Sequence, residues 1–380
     1  MSFKKYLLAP GPVPVPPNVL NAMAAPMIHH RSPDFVGLFE DVTSGLKYLY
    51  QTEQPVMILA SSGTGGMEAS VTNFLSPGDK AIYVNGGKFG ERWGKILSAY
   101  GITGIEIKVT WGESVEVAAV KEALDANPDA KAVYVQASET STGVAHDVKA
   151  IAQLTQDRDT LCVVDAITAM GVTNMPMDEW GLDVVVSGSQ KGYMLPPGLA
   201  MVGVSEKAWR FNETSTCPHF YFDLAKERKG LATANTAFTP SVSLIVGLQE
   251  VLRMVREETI EGVFARHERL AHATREGLKA AGMELFPVGT PSTAVTAVKA
   301  PEGVDGQDIY KTLRTKYGVT AAGGQDHLKG KVFRVAQLGY ADTFDTIIAV
   351  SAVEMAIATL GGKVNLGAGV KRAQELLLAK

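Results

Sequence analysis

Val184-Val185-Val186-Ser187-Gly188-Ser189-Gln190-Lys191 decides how this chain is read. Three consecutive valines predict a short strand buried on both faces, because no polar residue alternates with them. Small residues then turn the chain, and a lysine follows. Most lysines are solvated surface residues. One carried in by a buried strand has a lowered pKa and acts as a nucleophilic amine. Upstream, Leu161-Cys162-Val163-Val164-Asp165 repeats the pattern with an acid at its carboxyl end. In open α/β sheets that end of a strand faces the ligand crevice. A carboxylate there needs a cationic partner, unless it simply caps a following helix.

Outward from these two strands, strand and helix patterns alternate. Apolar runs bounded by Gly, Pro or Asp predict strands at 56–59, 81–84, 105–109, 132–135, 161–164, 184–187 and 200–204. Helical patterns lie between them at 66–74, 90–100, 115–124 and 148–155. This alternation predicts an α/β fold with a mostly parallel sheet covered by helices on both faces. The strands after residue 180 lack intervening helices, so some antiparallel pairing is expected there. A long periodic stretch at 241–281 reads as one bent helix or two, with a break near Glu261-Gly262. Short strands at 293–298 and 332–335 and helices at 306–316 and 344–360 make a smaller α+β domain. The expected organisation is an N-terminal arm over 1–20, a large domain over 21–260 and a small domain over 261–380. The arm contains Ala9-Pro10-Gly11-Pro12-Val13-Pro14-Val15-Pro16-Pro17, whose prolines enforce an extended path. It reads as a surface linker, or as a strap across an active site or a subunit interface.

The 380 residues are 46% hydrophobic and 20% charged, with a net charge of −4. This balance excludes a disordered chain, a coiled coil and a collagen-like fibre. No basic stripe suggests a nucleic-acid partner. No apolar run approaches the roughly 18 residues of a membrane span, and none forms a signal core. A cytoplasmic protein with no membrane partner is expected. Cys162 and Cys217 cannot supply a disulfide framework or a four-cysteine zinc site. His29-His30 does not suggest a metal either, since neighbouring residues on a strand point oppositely. The two histidines of His267-Glu268-Arg269-Leu270-Ala271-His272 are five apart, not four, so this stretch reads as a solvated helix face rather than a zinc site.

Ser61-Ser62-Gly63-Thr64-Gly65-Gly66 joins a strand to a helix. Its glycines let backbone N–H groups converge at a helix N-terminus, which suits a phosphate. The alternative is a tight turn. The loop lacks the terminal Lys-Ser/Thr of a P-loop. A phosphate cradle, a strand-end acid and a strand-end lysine together are the parts that hold pyridoxal phosphate. A nucleotide would explain the loop but not the lysine.

With these parts in order, the chain resembles the class V aminotransferases, in their alanine–glyoxylate, serine–glyoxylate and serine–pyruvate branch. The lysine motif Val186-Ser187-Gly188-Ser189-Gln190-Lys191 carries the resemblance, which runs from the Pro-Gly-Pro arm past Arg334. It implies fold-type I, a pyridoxal 5′-phosphate cofactor and a homodimer with shared active sites. It assigns Lys191 as the Schiff-base lysine and Asp165 as the partner of the ring nitrogen. Ser62, Gly63, Thr64 and Gln190 match the phosphate contacts. Phe89 matches the aromatic that stacks on the ring, a position where relatives often carry Trp. Ile167 packs on the opposite face, and Thr140 matches a hydroxyl near the phenolic oxygen. Thr239, with Thr236 as the other choice, would reach the neighbouring subunit's phosphate. Arg334 would grip the substrate carboxylate in a bidentate fork, and His30 or Arg31 would tune substrate choice. The implied reaction is ping-pong transamination of alanine or serine with glyoxylate or pyruvate. Aspartate and ureidoglycine are alternative donors. Cysteine desulfuration or another lyase reaction is the nearest rival chemistry, although neither cysteine is well placed for it. A non-catalytic binding subunit would be expected to lack Lys191 or Asp165, and this chain has both.

Overall fold

The computed structural model describes residues 4–379. Its centre is a seven-stranded sheet in the order Val56–Leu59, Ala200–Val204, Val184–Gly188, Leu161–Asp165, Ala130–Gln136, Lys80–Asn85 and Thr103–Lys108. Ala200–Val204 runs antiparallel to both of its neighbours, and every other adjacent pair is parallel. The antiparallel strand follows residue 180, where the helices between strands run out.

Side chains alternate across each strand, so the sheet has two apolar faces. Cys162, Val164 and Val185 pack with Phe35, Phe39 and Leu46 of the helix Pro33–Tyr50 and with Ile245, Leu248 and Leu252 of Val242–Glu258. Leu161, Val163 and Val186 pack on the other side with Met67 and Val71 of Gly63–Thr72 and with Trp93 and Leu97 of Lys88–Ala99. Asp165 continues the alternation of Leu161 and Val163. This register sends its carboxylate toward the loop Ser61–Gly66 and the start of Lys88–Ala99, rather than toward the other layer.

The stretch 241–281 is two helices, Val242–Glu258 and Ile260–Ala280. The break falls at Thr259 rather than at Glu261-Gly262. Thr259 takes a left-handed φ of 66°, and its side chain accepts from Gly262 N, capping the second helix. Six helices have no counterpart in the sequence reading: Pro17–Met23, Pro33–Tyr50, Met177–Trp180, Glu206–Asn212, Leu224–Leu231 and Ala368–Leu378. Pro33–Tyr50 starts on the cap Ser32 with a proline in its first turn, and Ala368–Leu378 closes the chain. His267 departs from the solvated face expected for it. It is fully buried, its Nδ1 pairs with Val263 O at 2.7 Å, and its Nε2 accepts from Gly339 N at 3.0 Å. Burial holds it neutral by lowering its pKa to about 3.

The C-terminal α+β part is built on a three-stranded antiparallel sheet, Val295–Lys299, Val332–Ala336 and Ala322–Gly323. The first described residues belong to it. Tyr6–Leu7 pairs in parallel with Val319–Thr320, and Ala336 N donates to Leu8 O at 2.8 Å. From there residues 9–16 run without helix until Pro17 opens the helix Pro17–Met23. No described helix is long and apolar enough to cross a membrane.

Candidate active site

The carboxyl ends of the parallel strands meet at a cavity of about 220 Å³. It is lined by Ser62, Gly63 and Thr64 after the first strand, by Asp165, Ile167 and Thr168 after Leu161–Asp165, and by Gln190 and Lys191 after Val184–Gly188. Thr140, Ser138, Phe89 and Arg92 complete it. Nine residues singled out in the sequence therefore share one cavity: Ser62, Gly63, Thr64, Phe89, Thr140, Asp165, Ile167, Gln190 and Lys191. Arg334 stands beside it on the strand Val332–Ala336 and reaches Thr140 O with Nη1 at 2.8 Å.

Thr239 and His30 lie elsewhere. They face a surface pocket shared with Met27, Ile28, Pro240 and Leu244. His30 stacks on His29, 4.6 Å between ring centroids. In this chain neither residue reaches the cavity that holds Lys191. The sequence reading missed Arg92, Ser138 and Thr168. Arg92 was legible in principle, since it lies three residues after Phe89 on one helix and so shares its face.

Asp165 is buried, and its Oδ1 accepts from Ile167 N at 2.9 Å. Burial pushes its pKa up to about 6, the Ile167 N–H opposes this, and the Glu139 carboxylate adds to it. Lys191 is 9% exposed, and its Nζ donates to Pro10 O in the N-terminal arm. Burial lowers its pKa to about 8, against the pull of Asp165 and with the help of Arg334 and Arg92. The arm thus straps the site. Gly11, at φ 116°, lies so near that a Cβ there would be 2.6 Å from Lys191 Nζ.

The backbone directly after Lys191 is tightly packed at Gly192. A Cβ on Gly192 would be 2.2 Å from Met170 O, a backbone atom, so the main chain itself would have to shift. We expect Gly192→Ala to cost about 2 kcal/mol or more and to lower the thermal midpoint. An unchanged midpoint would contradict this packing.

Lys191 itself costs stability. The unfolded chain holds the lysine proton up to about pH 10.4, and the folded chain releases it near pH 8. Between these values the unfolded state binds more protons, so stability rises with pH. Below pH 8 both states are protonated, and the cost of the buried charge is present in full, about 3 kcal/mol. Cofactor-free Lys191→Met should therefore melt a few degrees higher than the parent chain at pH 7, with the gap closing by pH 10. A lower midpoint at pH 7 would show that the contact with Pro10 outweighs the burial cost.

Glu139 is buried at the N-terminus of Lys88–Ala99. It accepts from Gly90 N at 2.9 Å and Phe89 N at 3.1 Å, and from the amide and hydroxyl of Ser141. A carboxylate is favoured there by the open amides and the helix dipole. It fixes where Phe89 enters the cavity. Arg334, also buried, spends Nε and Nη2 on Gly323 O at 3.1 and 2.9 Å. A guanidinium has five N–H donors. One on each Nη remains for a ligand.

The cavity fits pyridoxal phosphate. It has an amine, a buried carboxylate and a glycine cradle at a helix start. A Cβ on Gly63 would lie 2.5 Å from Ile167 Cδ1, so a larger residue would push Ile167 out of its place on the cavity wall. Gln190 Oε1 is buried without a partner at the same cavity, so that acceptor is open to a donor on a ligand.

Fold and cavity define a fold-type I pyridoxal-phosphate enzyme. The solved pyridoxamine–pyruvate aminotransferase from Mesorhizobium loti superposes with a TM-score of 0.94 at 28% identity, covering 99% of this chain and 97% of that one. Residues 5–338 match the family Aminotransferase class-V, and the chain belongs to it. Among its relatives is the soluble hydrogenase small subunit of Synechococcus sp. (strain PCC 6716), 46% identical over 99% of both chains. Another is the L-aspartate–glyoxylate aminotransferase of Paracoccus denitrificans (strain Pd 1222), 36% identical over 99% of this chain and 96% of that one.

Proposed function

We propose that this aminotransferase moves the amino group of a small donor, alanine or serine, to glyoxylate or pyruvate. The observation that carries the reading is the joining of Lys191, Asp165 and the Ser62–Thr64 loop in one cavity beside the guanidinium of Arg334. Its two free N–H groups suit one substrate carboxylate. The cofactor would rest on the amides and hydroxyls of Ser62, Gly63 and Thr64 and on Gln190, with Phe89 and Ile167 against its ring and Thr140 near its phenolic oxygen. When bound, pyridoxal phosphate supplies an aldehyde carbon for amines and a protonated ring that draws electrons from the substrate's α-carbon.

The rest is the work of the chain. Arg334 orients the substrate by its carboxylate and leaves the α-hydrogen facing Lys191. Lys191 Nζ accepts that proton and later returns one to the accepting keto acid's carbon. An amine whose pKa lies near 8 is matched to both tasks at neutral pH. Asp165, placed by its strand register, holds the proton on the ring nitrogen. The strap at Pro10–Gly11 covers Lys191 on the solvent side.

A homodimer belongs to this reading. Phe220 and Tyr221, 74% and 44% exposed, gather around Phe238, which adjoins Thr239. An exposed aromatic cluster of this kind is a usual place for a partner. Across such an interface Thr239, or Thr236, would reach the other subunit's phosphate.

The relative named a soluble hydrogenase subunit and the one named an aspartate–glyoxylate enzyme both put the substrate to the test. The purified protein would be titrated with alanine, serine, aspartate, glutamate and cysteine, one at a time, without keto acid, while its absorption is followed. Conversion of the cofactor to its amine form, with one keto acid released per site, is the expected result, with alanine or serine reacting fastest. Faster reaction with aspartate would overturn the choice of donor. A chain that takes up no cofactor would overturn the whole reading.

A further inference from the structure

Arg92 is a cation in the cavity for which neither proton transfer nor substrate binding has a use. Its Nη1 donates to Thr64 Oγ1 at 3.0 Å, and its guanidinium lies 4.9 Å from the centroid of the Phe89 ring. Thr64 stands in the first turn of Gly63–Thr72, among amides that have no partner within the helix. A hydroxyl has one proton and two lone pairs. With Arg92 donating into a lone pair, the Thr64 proton is directed away from the guanidinium.

We infer that Arg92 serves the phosphate end of the cavity as a positioning residue. It turns the Thr64 hydroxyl into a donor and sets a positive charge beside the phosphate. This rests on the reading that the cavity holds pyridoxal phosphate. Charge balance supports the assignment. Asp165 lines the cavity, Glu139 is buried next to it, and a phosphate monoester adds about two more negative charges. Arg92 and Lys191 are the only cations in the lining. Lys191 is taken by the chemistry and Arg334 by the substrate. A helix N-terminus alone offers roughly half a charge. With Arg92 committed to the phosphate end, this chain's lining keeps no guanidinium for a second substrate carboxylate.

The test compares pyridoxal phosphate with pyridoxal, which has the same ring and aldehyde but no phosphate. The full-length chain, freed of cofactor, is titrated with each. Arg92→Gln should weaken pyridoxal phosphate by about tenfold or more, the worth of one charge-assisted hydrogen bond. It should leave pyridoxal within about twofold. Thr64→Val should weaken the phosphorylated ligand less, and the double variant should fall short of the product of the two single effects, because Arg92 acts partly through Thr64. Equal weakening of both ligands would mean that Arg92 only supports Phe89 and the fold, and would overturn the inference. So would unchanged binding, or an Arg92→Gln enzyme whose sole defect is a raised KM for aspartate. A parent chain that binds pyridoxal but gains nothing from the phosphate would overturn the inference and leave the cofactor reading standing. A parent chain that binds neither ligand would overturn both.

Discussion

Lys191→Ala should abolish turnover, lowering kcat by about 10³-fold or more while the protein stays folded. The expected size follows from the two tasks that fall to one amine. Positioned acid–base groups contribute about 10² to 10⁴ each time a proton moves in a transition state, and tethering the amine beside the reacting carbon removes an entropic cost that a base in solution would bear. Alanine at 191 leaves a cavity where the side chain was and does not disturb Asp165 or Arg334 directly. A small primary amine added to the solvent should therefore enter and restore part of the rate. Cofactor uptake should persist without a covalent link, visible as a shifted absorption band. Turnover within a few fold of the parent enzyme would remove Lys191 from the proposed scheme.

Arg334→Gln should cut kcat/KM for amino donors and keto acids by about 10²-fold, mostly through KM. Two charge-assisted hydrogen bonds to a carboxylate are worth about 1.5–3 kcal/mol each, and burial of the guanidinium strengthens them further. Burial is also why lysine should not substitute. A single ammonium cannot hold Gly323 O and Thr140 O and still present two parallel N–H groups. Some stability should be lost as well, since both carbonyls lose a donor. An amine without a carboxylate, assayed in parallel, should react equally with parent and variant. Equal loss on that amine would show that Arg334 shapes the cavity rather than gripping the substrate.

Most of the central sheet was legible because its strands are short, apolar and punctuated by Gly, Pro and Asp, a pattern that local chemistry fixes. Asp165 and Lys191 stood out for the same reason, being charges attached to runs that must be buried. The remainder depends on contacts between distant segments. His267 looked like a surface residue because its helix carries charge on both sides of it, yet Gly339 arrives from the far end of the chain to bury it. Arg92 lay inside a quoted motif and was passed over, because only the folded helix shows that it faces Thr64. Thr239 and His30 illustrate another limit. A residue that acts across an interface leaves no mark in the site of its own chain.

The pairing of Tyr6–Leu7 with Val319–Thr320 bears on how the molecule is made. The strand Tyr6–Leu7 has no partner until Val319–Thr320 has followed it out of the ribosome. Until then the segment that will cover Lys191 is loose, and so is the strand that carries Arg334. Contacts so distant in sequence form late and slowly. A nascent chain halted before residue 319 lacks the pairing that seats the strap and the strand that carries Arg334. The parts that would cover Lys191 and grip a carboxylate are thus the last pieces of the cavity to be completed during synthesis.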